Sequence, residues 1–330
     1  MADRTQQPWR PPGWLDQVNA WIQDKLKEKG IRLTGPTEQY HLRPWSTVLR
    51  IPTTQGDVYF KAPGPVLVHE AALTQALSEW RPDCILSPLA VQLERGWMLL
   101  PDGGTRLRDV VRAGGDSRPW ETVLPVYAAL QMDIVSHREE LHALGVPDRR
   151  LALLPSQFEG LLRDEQVLGI NQANGLTRDE LERLSERVPA LTAICQELAR
   201  HDIPESLGHQ DLSDGNIFVR DDHAIFFDWG DASITHPFFS MRAVVVSVET
   251  TLDLKEGPAP VPLRDAYLDP WTRRIAREDL LMAFELAQRI WMIPTALAWH
   301  RVVSSLQAEE RDEYANRVRW LLKEFLDAEE

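Results

Sequence analysis

The stretch Gly208–Asp231, GHQDLSDGNIFVRDDHAIFFDWGD, restricts the rest of the chain more than any other. Two apolar runs, Ile217-Phe218-Val219 and Ala224-Ile225-Phe226-Phe227, flank the turn-like Arg220-Asp221-Asp222-His223, a pattern that predicts a β-hairpin. Polar residues gather where the strands begin or end: His209 and Asp211 ahead of the first, Asn216 at its entry, Asp228 at the exit of the second. Short buried strands rarely carry acids, so Asp228 directly after an apolar run points to chemistry rather than packing. A solvated Asp/Asn-rich turn does not account for polar and glycine residues held in this register.

Phosphoryl transfer uses such a set. The reaction asks for positioning and charge neutralisation rather than covalent help from the protein. One carboxylate orients the attacking hydroxyl, while a second carboxylate and an amide oxygen hold Mg²⁺ on the nucleotide phosphates. Asp211 and Asn216 have the D-x-x-x-x-N spacing of a kinase catalytic loop, and Asp228-Trp229-Gly230 stands where such enzymes carry D-F-G. Oxygen ligands, few in number and supplemented by phosphate, suit Mg²⁺. Reading H-x-D-x-x-x-x-N followed by D-W-G, the segment resembles the catalytic region of the aminoglycoside phosphotransferase family, the small-molecule relatives of protein kinases. Gln210 departs from the glycine that relatives often have, whereas tryptophan in the position of Trp229 occurs in the family.

At 330 residues the chain exceeds a comfortable single core, so two lobes are expected. A formal charge of −14 argues against nonspecific binding to nucleic acid or an anionic membrane and is compatible with an amine-bearing substrate. Cys84 and Cys195 are the only cysteines, which excludes a disulfide framework or a zinc cluster. The N-terminal MADRTQQPWRPPGW has no apolar signal core and no stretch reaches membrane-span length, so a cytoplasmic location is expected.

Taken in order, residues 1–12 read as a polar, proline-rich arm, and Gly13 to Gly30 as a helix whose tryptophans pack on the first lobe. Strands are expected around Tyr40–Leu42, Ser46–Ile51, Asp57–Ala62, Ile85–Gln92 and Gly96–Leu100, with a helix from His69 to Trp80. No G-x-G-x-x-G joins the first two strands; Ser46 and nearby amides are the candidate phosphate contacts there. Lys61 at a strand end and Glu70 on the following helix have the order and spacing of the kinase lysine and the glutamate that holds it. Beyond Thr105 the chain reads as helices over Pro119–Leu144, Leu151–Leu168, Arg178–His201, Met241–Leu254, Glu278–Arg301 and Ala308–Ala328. Pro189 is expected to bend or restart the third of these, and Ala232–Phe239 to be irregular.

The resemblance implies an α+β, protein-kinase-like fold. Residues 1–102 would form a small β-rich N-terminal lobe, and residues 103–330 a larger helical lobe with the catalytic loop and acceptor site. Nucleotide would bind between them, adenine against a hinge where Pro101 offers only its carbonyl and Gly103 an amide. ATP, or GTP, with Mg²⁺ would be the cofactor. In that arrangement Lys61 contacts the α/β-phosphates, Asn216 and Asp228 chelate the metal, Asp211 receives the substrate hydroxyl, and His209 braces the loop. Asp214, Asp231, Glu249, Asp253, Arg289, Trp291, Trp299 and His300 are candidates for the acceptor side. An aminoglycoside, an amino sugar, a choline-like amino alcohol and homoserine are all compatible acceptors. The alternative is a nucleotide-binding pseudoenzyme with a regulatory or scaffold role, which the presence of Lys61, Glu70, Asp211, Asn216 and Asp228 disfavours. A protein kinase fits poorly, since no A-P-E segment follows Asp228.

Overall fold

A computed structural model of the protein describes residues 7, 9–221 and 223–328. The arm expected over residues 1–12 lies largely outside them. Contacts divide the chain into two units. The first runs to Thr105 and takes in Phe218–Gly230 and Ser305–Gln307; the second holds Arg106–Ile217, Asp231–Ser304 and the chain from Ala308 onward.

The first unit is built on an antiparallel sheet of β1 (Glu38–Arg43), β2 (Ser46–Thr53), β3 (Gly56–Pro63), β4 (Ala90–Gln92) and β5 (Trp97–Pro101), in the order β1-β2-β3-β5-β4. Alternation along β2 and β3 sends Leu49, Ile51, Val58 and Phe60 into one core, where α1 (Trp14–Glu28) covers them with Val18, Ile22 and Leu26. Trp14 and Trp21 meet the Phe60 ring edge-on at 6.2 and 5.9 Å, so the tryptophans pack as their spacing predicts. Gly30, at φ 70°, ends α1, and its amide and that of Ile31 bond back to the carbonyls of Lys27 and Leu26. The second helix, α2 (His69–Trp80), buries Glu70 together with Ala71, Leu73 and Leu77.

Of the strand expected over Ile85–Gln92, only Ala90–Gln92 forms. Pro88 carries no amide for a ladder, and Ile85 instead bridges in parallel to Phe226. That bridge ties in the hairpin of Ile217–Arg220 and His223–Phe226, whose turn places Asp221 at φ 48°. Phe226 N–H donates to the Cys84 carbonyl at 2.8 Å and Leu86 N–H to the Phe226 carbonyl at 3.2 Å. Phe218 and Phe227 stack at 4.3 Å.

The second unit is mainly helical. Its buried axis is Pro119–Ile134, with Pro119 in the first turn as expected and Trp120, Tyr127 and Gln131 inside. The long helices predicted after it are subdivided. Pro119–Leu144 becomes Pro119–Ile134, a 3₁₀ turn and Arg138–Ala143; Leu151–Leu168 becomes Leu154–Leu162 and Glu165–Leu168, the latter capped by Asp164. Arg178–His201 splits at Arg187 into Arg178–Glu186 and Val188–Ala199, so Pro189 restarts a helix as predicted. Glu278–Arg301 likewise splits at Trp291 into Arg277–Ile290 and Met292–Val303. Met241–Thr251 and Ala308–Asp327 match their predictions to within a turn, while Val261–Leu268 is a helix the sequence pattern did not announce. Within the segment expected to be irregular, Ser233–Thr235 is a strand antiparallel to Ser206–Gly208. No helix among the described residues is long and apolar enough to cross a membrane.

Candidate functional site

Lys61 is the centre of the first unit's polar chemistry. It leaves β3 opposite Val48 and Met98 and is only 8% exposed, so its ammonium needs partners within the fold. It has two: Nζ donates to Glu70 Oε1 at 2.6 Å and to Asp228 Oδ1 at 2.7 Å. Burial alone would pull this ammonium below the ordinary lysine range, but the carboxylates of Asp228 and Glu70 outweigh it and hold the pKa above that range. An ammonium carries three donors, so one remains beyond these two bonds.

The hairpin explains how Asp228 reaches Lys61. Its tethers to Cys84 and Leu86 fix Phe226, and the chain then turns through Asp228 at φ 66°, a left-handed conformation uncommon outside glycine but tolerated by aspartate. Trp229 follows, fully buried, and Gly230 comes so close to Glu70 that an added Cβ would lie 3.1 Å from Oε2. The glycine of the D-W-G triplet is therefore the residue that lets this turn pass the Glu70 carboxylate.

At Gly103 the constraint is tighter. A Cβ there would fall 1.9 Å from Phe218 Cδ2, so the hairpin's aromatic ring rests directly on the backbone of the expected hinge. Arg220 Nη2 donates to the Asp102 carbonyl at 2.7 Å, and Gly104 N–H to the Asp102 carboxylate at 2.9 Å. Pro101 ends β5. Ser46, expected near phosphate, is 7% exposed at the start of β2, facing Arg43 and Pro63 in the ladder.

In the second unit the loop from His209 to Asn216 is braced from below. His209 is fully buried; its N–H donates to the Tyr127 hydroxyl at 2.9 Å, and its Nδ1 accepts from Asp211 N–H at 3.2 Å. Asp211 itself is exposed. Asn216 Nδ2 donates both to the Asp211 carbonyl at 2.9 Å and to Asp211 Oδ2 at 2.8 Å. Those two hydrogen bonds fix which way the amide faces and leave its carbonyl oxygen for another role, an oxygen ligand of the kind that suits a hard cation.

Beneath the loop lies a polar network that motif reasoning passed over. Gln131 Nε2 donates to the Tyr127 hydroxyl, the Leu207 carbonyl and the Pro237 carbonyl at 3.2, 3.0 and 3.2 Å; Gln131 Oε1 accepts from the Tyr267 hydroxyl at 2.6 Å. Tyr127 also pairs with Ser240 at 2.8 Å, and burial pushes its pKa up to about 12. The available signal was Tyr127 and Gln131 four residues apart on the apolar face of one helix, a polar pair where only packing residues belong.

The expected acceptor residues divide. Asp214 is fully buried, with Oδ1 bonded to Arg108 Nε at 2.7 Å, Oδ2 to the Thr251 hydroxyl at 2.6 Å, and its amide to Ser247 at 2.9 Å. With both carboxylate oxygens committed to the fold, it anchors the loop instead of facing an acceptor. Glu249 is similarly engaged, accepting from Gly257 N–H at 2.7 Å near Arg242, whose guanidinium lies over the Trp291 ring at 5.3 Å. His300 is held by Asp164 at 2.9 Å. Trp299 and Asp231 are half-buried, while Arg289 and Asp253 are exposed.

Residues 94–240 match the phosphotransferase enzyme family. Solved structures share the fold at low identity. A choline/ethanolamine kinase family protein from Mesorhizobium loti aligns with TM-score 0.57 and 15% identity over 95% of this chain and 98% of its own. Plasmodium vivax ethanolamine kinase aligns with TM-score 0.61 and 13% identity over 94% and 89%. An amicoumacin kinase, solved with AMP-PNP, Ca²⁺ and its antibiotic, aligns with TM-score 0.55 and 13% identity over 94% and 96%. No curated protein matches the chain in sequence.

Proposed function

We propose that this chain, a member of the phosphotransferase enzyme family through residues 94–240, transfers the γ-phosphate of Mg-ATP to an alcohol group of a small molecule. The observation that carries this reading is the Glu70–Lys61–Asp228 chain, with Nζ held at 2.6 and 2.7 Å and one ammonium donor left over. That donor would go to the α/β-phosphates, with Glu70 fixing its direction. Asn216 and Asp228 would each give an oxygen to Mg²⁺, which supplies neutralisation of phosphate charge when bound. Asp211 would accept the hydrogen bond of the acceptor hydroxyl and aim it, and Asn216, bonded twice to Asp211, keeps that carboxylate in place. His209 braces this loop through its backbone and Nδ1. Gly103 and the Pro101 carbonyl would face adenine. Asp231 and Trp299, both half-buried, would lie on the acceptor side.

ADP release from Mg-ATP across a panel of hydroxyl-bearing metabolites and aminoglycosides tests the reaction. Asp211→Ala should lower turnover by about 10²-fold or more, the scale of a lost positioned base, while Mg-nucleotide still raises the melting temperature. Normal turnover in that variant would remove Asp211 from its role.

A further inference from the structure

One strongly basic side chain in the second unit is almost wholly buried. Arg149 is 5% exposed, and its Nη1 is buried with no hydrogen-bond partner among the described residues. Its backbone is pinned: the amide donates to the Ile234 carbonyl at 2.8 Å and the carbonyl accepts from the Thr235 hydroxyl at 3.1 Å. The side chain therefore sits beside the strand that begins two residues after Asp231. Its charged neighbours are Arg301, from the helix Met292–Val303, and Asp231. Burial and Arg301 together draw the Arg149 pKa down to about 10, with Asp231 opposing; Arg301 is drawn down by burial in the same way.

Buried guanidinium groups are normally paired, because an uncompensated charge away from water is expensive. Arg149 and Arg301 both feel the Asp231 carboxylate, yet Arg149 Nη1 has no hydrogen-bond partner among the described residues. A carboxylate would supply that partner, matching a guanidinium with two parallel acceptors. Asp231, whose carboxylate both arginines feel, follows Asp228 by three residues in the chain.

We propose that Arg149 and Arg301 bind a carboxylate on the acceptor, so that the phosphorylated alcohol belongs to a small hydroxy acid. The inference rests on the phosphotransferase reading above and narrows its substrate class. In the step itself the alcohol oxygen bonds to the γ-phosphorus as the bond to the β–γ bridging oxygen breaks. ADP departs, the hydroxyl proton passes to Asp211 and then to solvent, and the carboxylate is unchanged.

The test uses the full chain with glycolate, 3-hydroxypropionate and 4-hydroxybutyrate against ethanolamine, 3-aminopropanol and 4-aminobutanol. Binding is read by calorimetry in the presence of Mg-ADP, and turnover by ADP release from Mg-ATP. At least one hydroxy acid should bind, and Arg149→Met and Arg301→Gln should each weaken it by about tenfold or more, the scale of a charge-assisted bond. Arg149→Lys should recover part of the loss. Absence of binding by every hydroxy acid, or equal affinity in wild type and both variants, would overturn the proposal. Mg-ADP stabilisation of the same samples separates the two readings. Carboxylate binding without any nucleotide binding would sink the phosphotransferase reading and leave the arginine site standing.

Discussion

Replacing Lys61 by methionine gives a number that the geometry can be held to. Glu70 is the partner that matters for stability, because its side chain is 1% exposed while that of Asp228 is 44% exposed. Water can take over the solvation of Asp228, so losing that contact should cost at most about 1 kcal/mol. It cannot do so for Glu70, and breaking one side of a buried pair costs about 3–5 kcal/mol. Lys61→Met should therefore destabilise the protein by roughly 3–5 kcal/mol. The double variant Lys61→Met/Glu70→Gln, which leaves no carboxylate buried opposite a methionine, should be more stable than the two single losses added together, with a coupling of about 2 kcal/mol or more. The pH of the measurement follows from the sign of the lysine shift. With the folded pKa raised, the pair contributes fully below the unfolded value near 10.5 and fades only as pH rises above it. Denaturant unfolding at pH 7.5, with the four proteins compared at constant slope, reads the cycle directly. Additivity within about 0.5 kcal/mol would refute the idea that Lys61 is held chiefly by neutralising a buried Glu70.

Three further outcomes are expected. Gly103→Ala, which puts a methyl into the Phe218 ring, should cost about 1–3 kcal/mol and weaken nucleotide binding; a calorimetric titration with Mg-ADP equal to wild type would separate this turn from the nucleotide site. Gln131→Leu removes the partner of Tyr267, Leu207 and Pro237 and should cost on the order of 3 kcal/mol in thermal unfolding, together with a fall in turnover through the loosened His209 loop. Loss of stability with turnover per folded molecule unchanged would show that the network holds the core without positioning the loop. His236, fully buried, has its pKa pushed down to about 3, chiefly by burial with His201 adding to it. Its folded value lies below the unfolded 6.5, so its contribution is complete above pH 6.5 and falls as pH drops toward 3, by about 2 kcal/mol at pH 5. A His236→Gln protein with the same stability loss between pH 7 and pH 5 as wild type would contradict this.

The hairpin strands and the polar residues at their ends were legible because short apolar runs there stop at turn residues. Lys61 and Glu70 could be singled out by spacing because one strand end and one helix start fix their separation. Asp214 could not be read correctly from its place in the loop, since its partners Arg108, Ser247 and Thr251 come from distant segments. Arg149 was equally silent: in Arg149-Arg150-Leu151 it looks like part of a solvated turn, whereas in the fold it is 5% exposed and its amide bonds to Ile234, far along the chain. The helix break at Arg187 was announced by Pro189, whereas the one at Trp291 escaped periodicity because apolar spacing carries on across it while the backbone does not.

The small hairpin has a last consequence for how this protein can be divided. Although the first unit supplies the sheet and the lysine, residues 218–230, made more than a hundred positions later, complete it. A fragment ending at Thr105 would lack Asp228 beside Lys61, Phe226 beside Cys84 and the Phe218 ring over Gly103. During synthesis that unit must wait, partly exposed, until the hairpin has emerged. A gene split at the apparent boundary would leave part of the first unit's chemistry in the second piece.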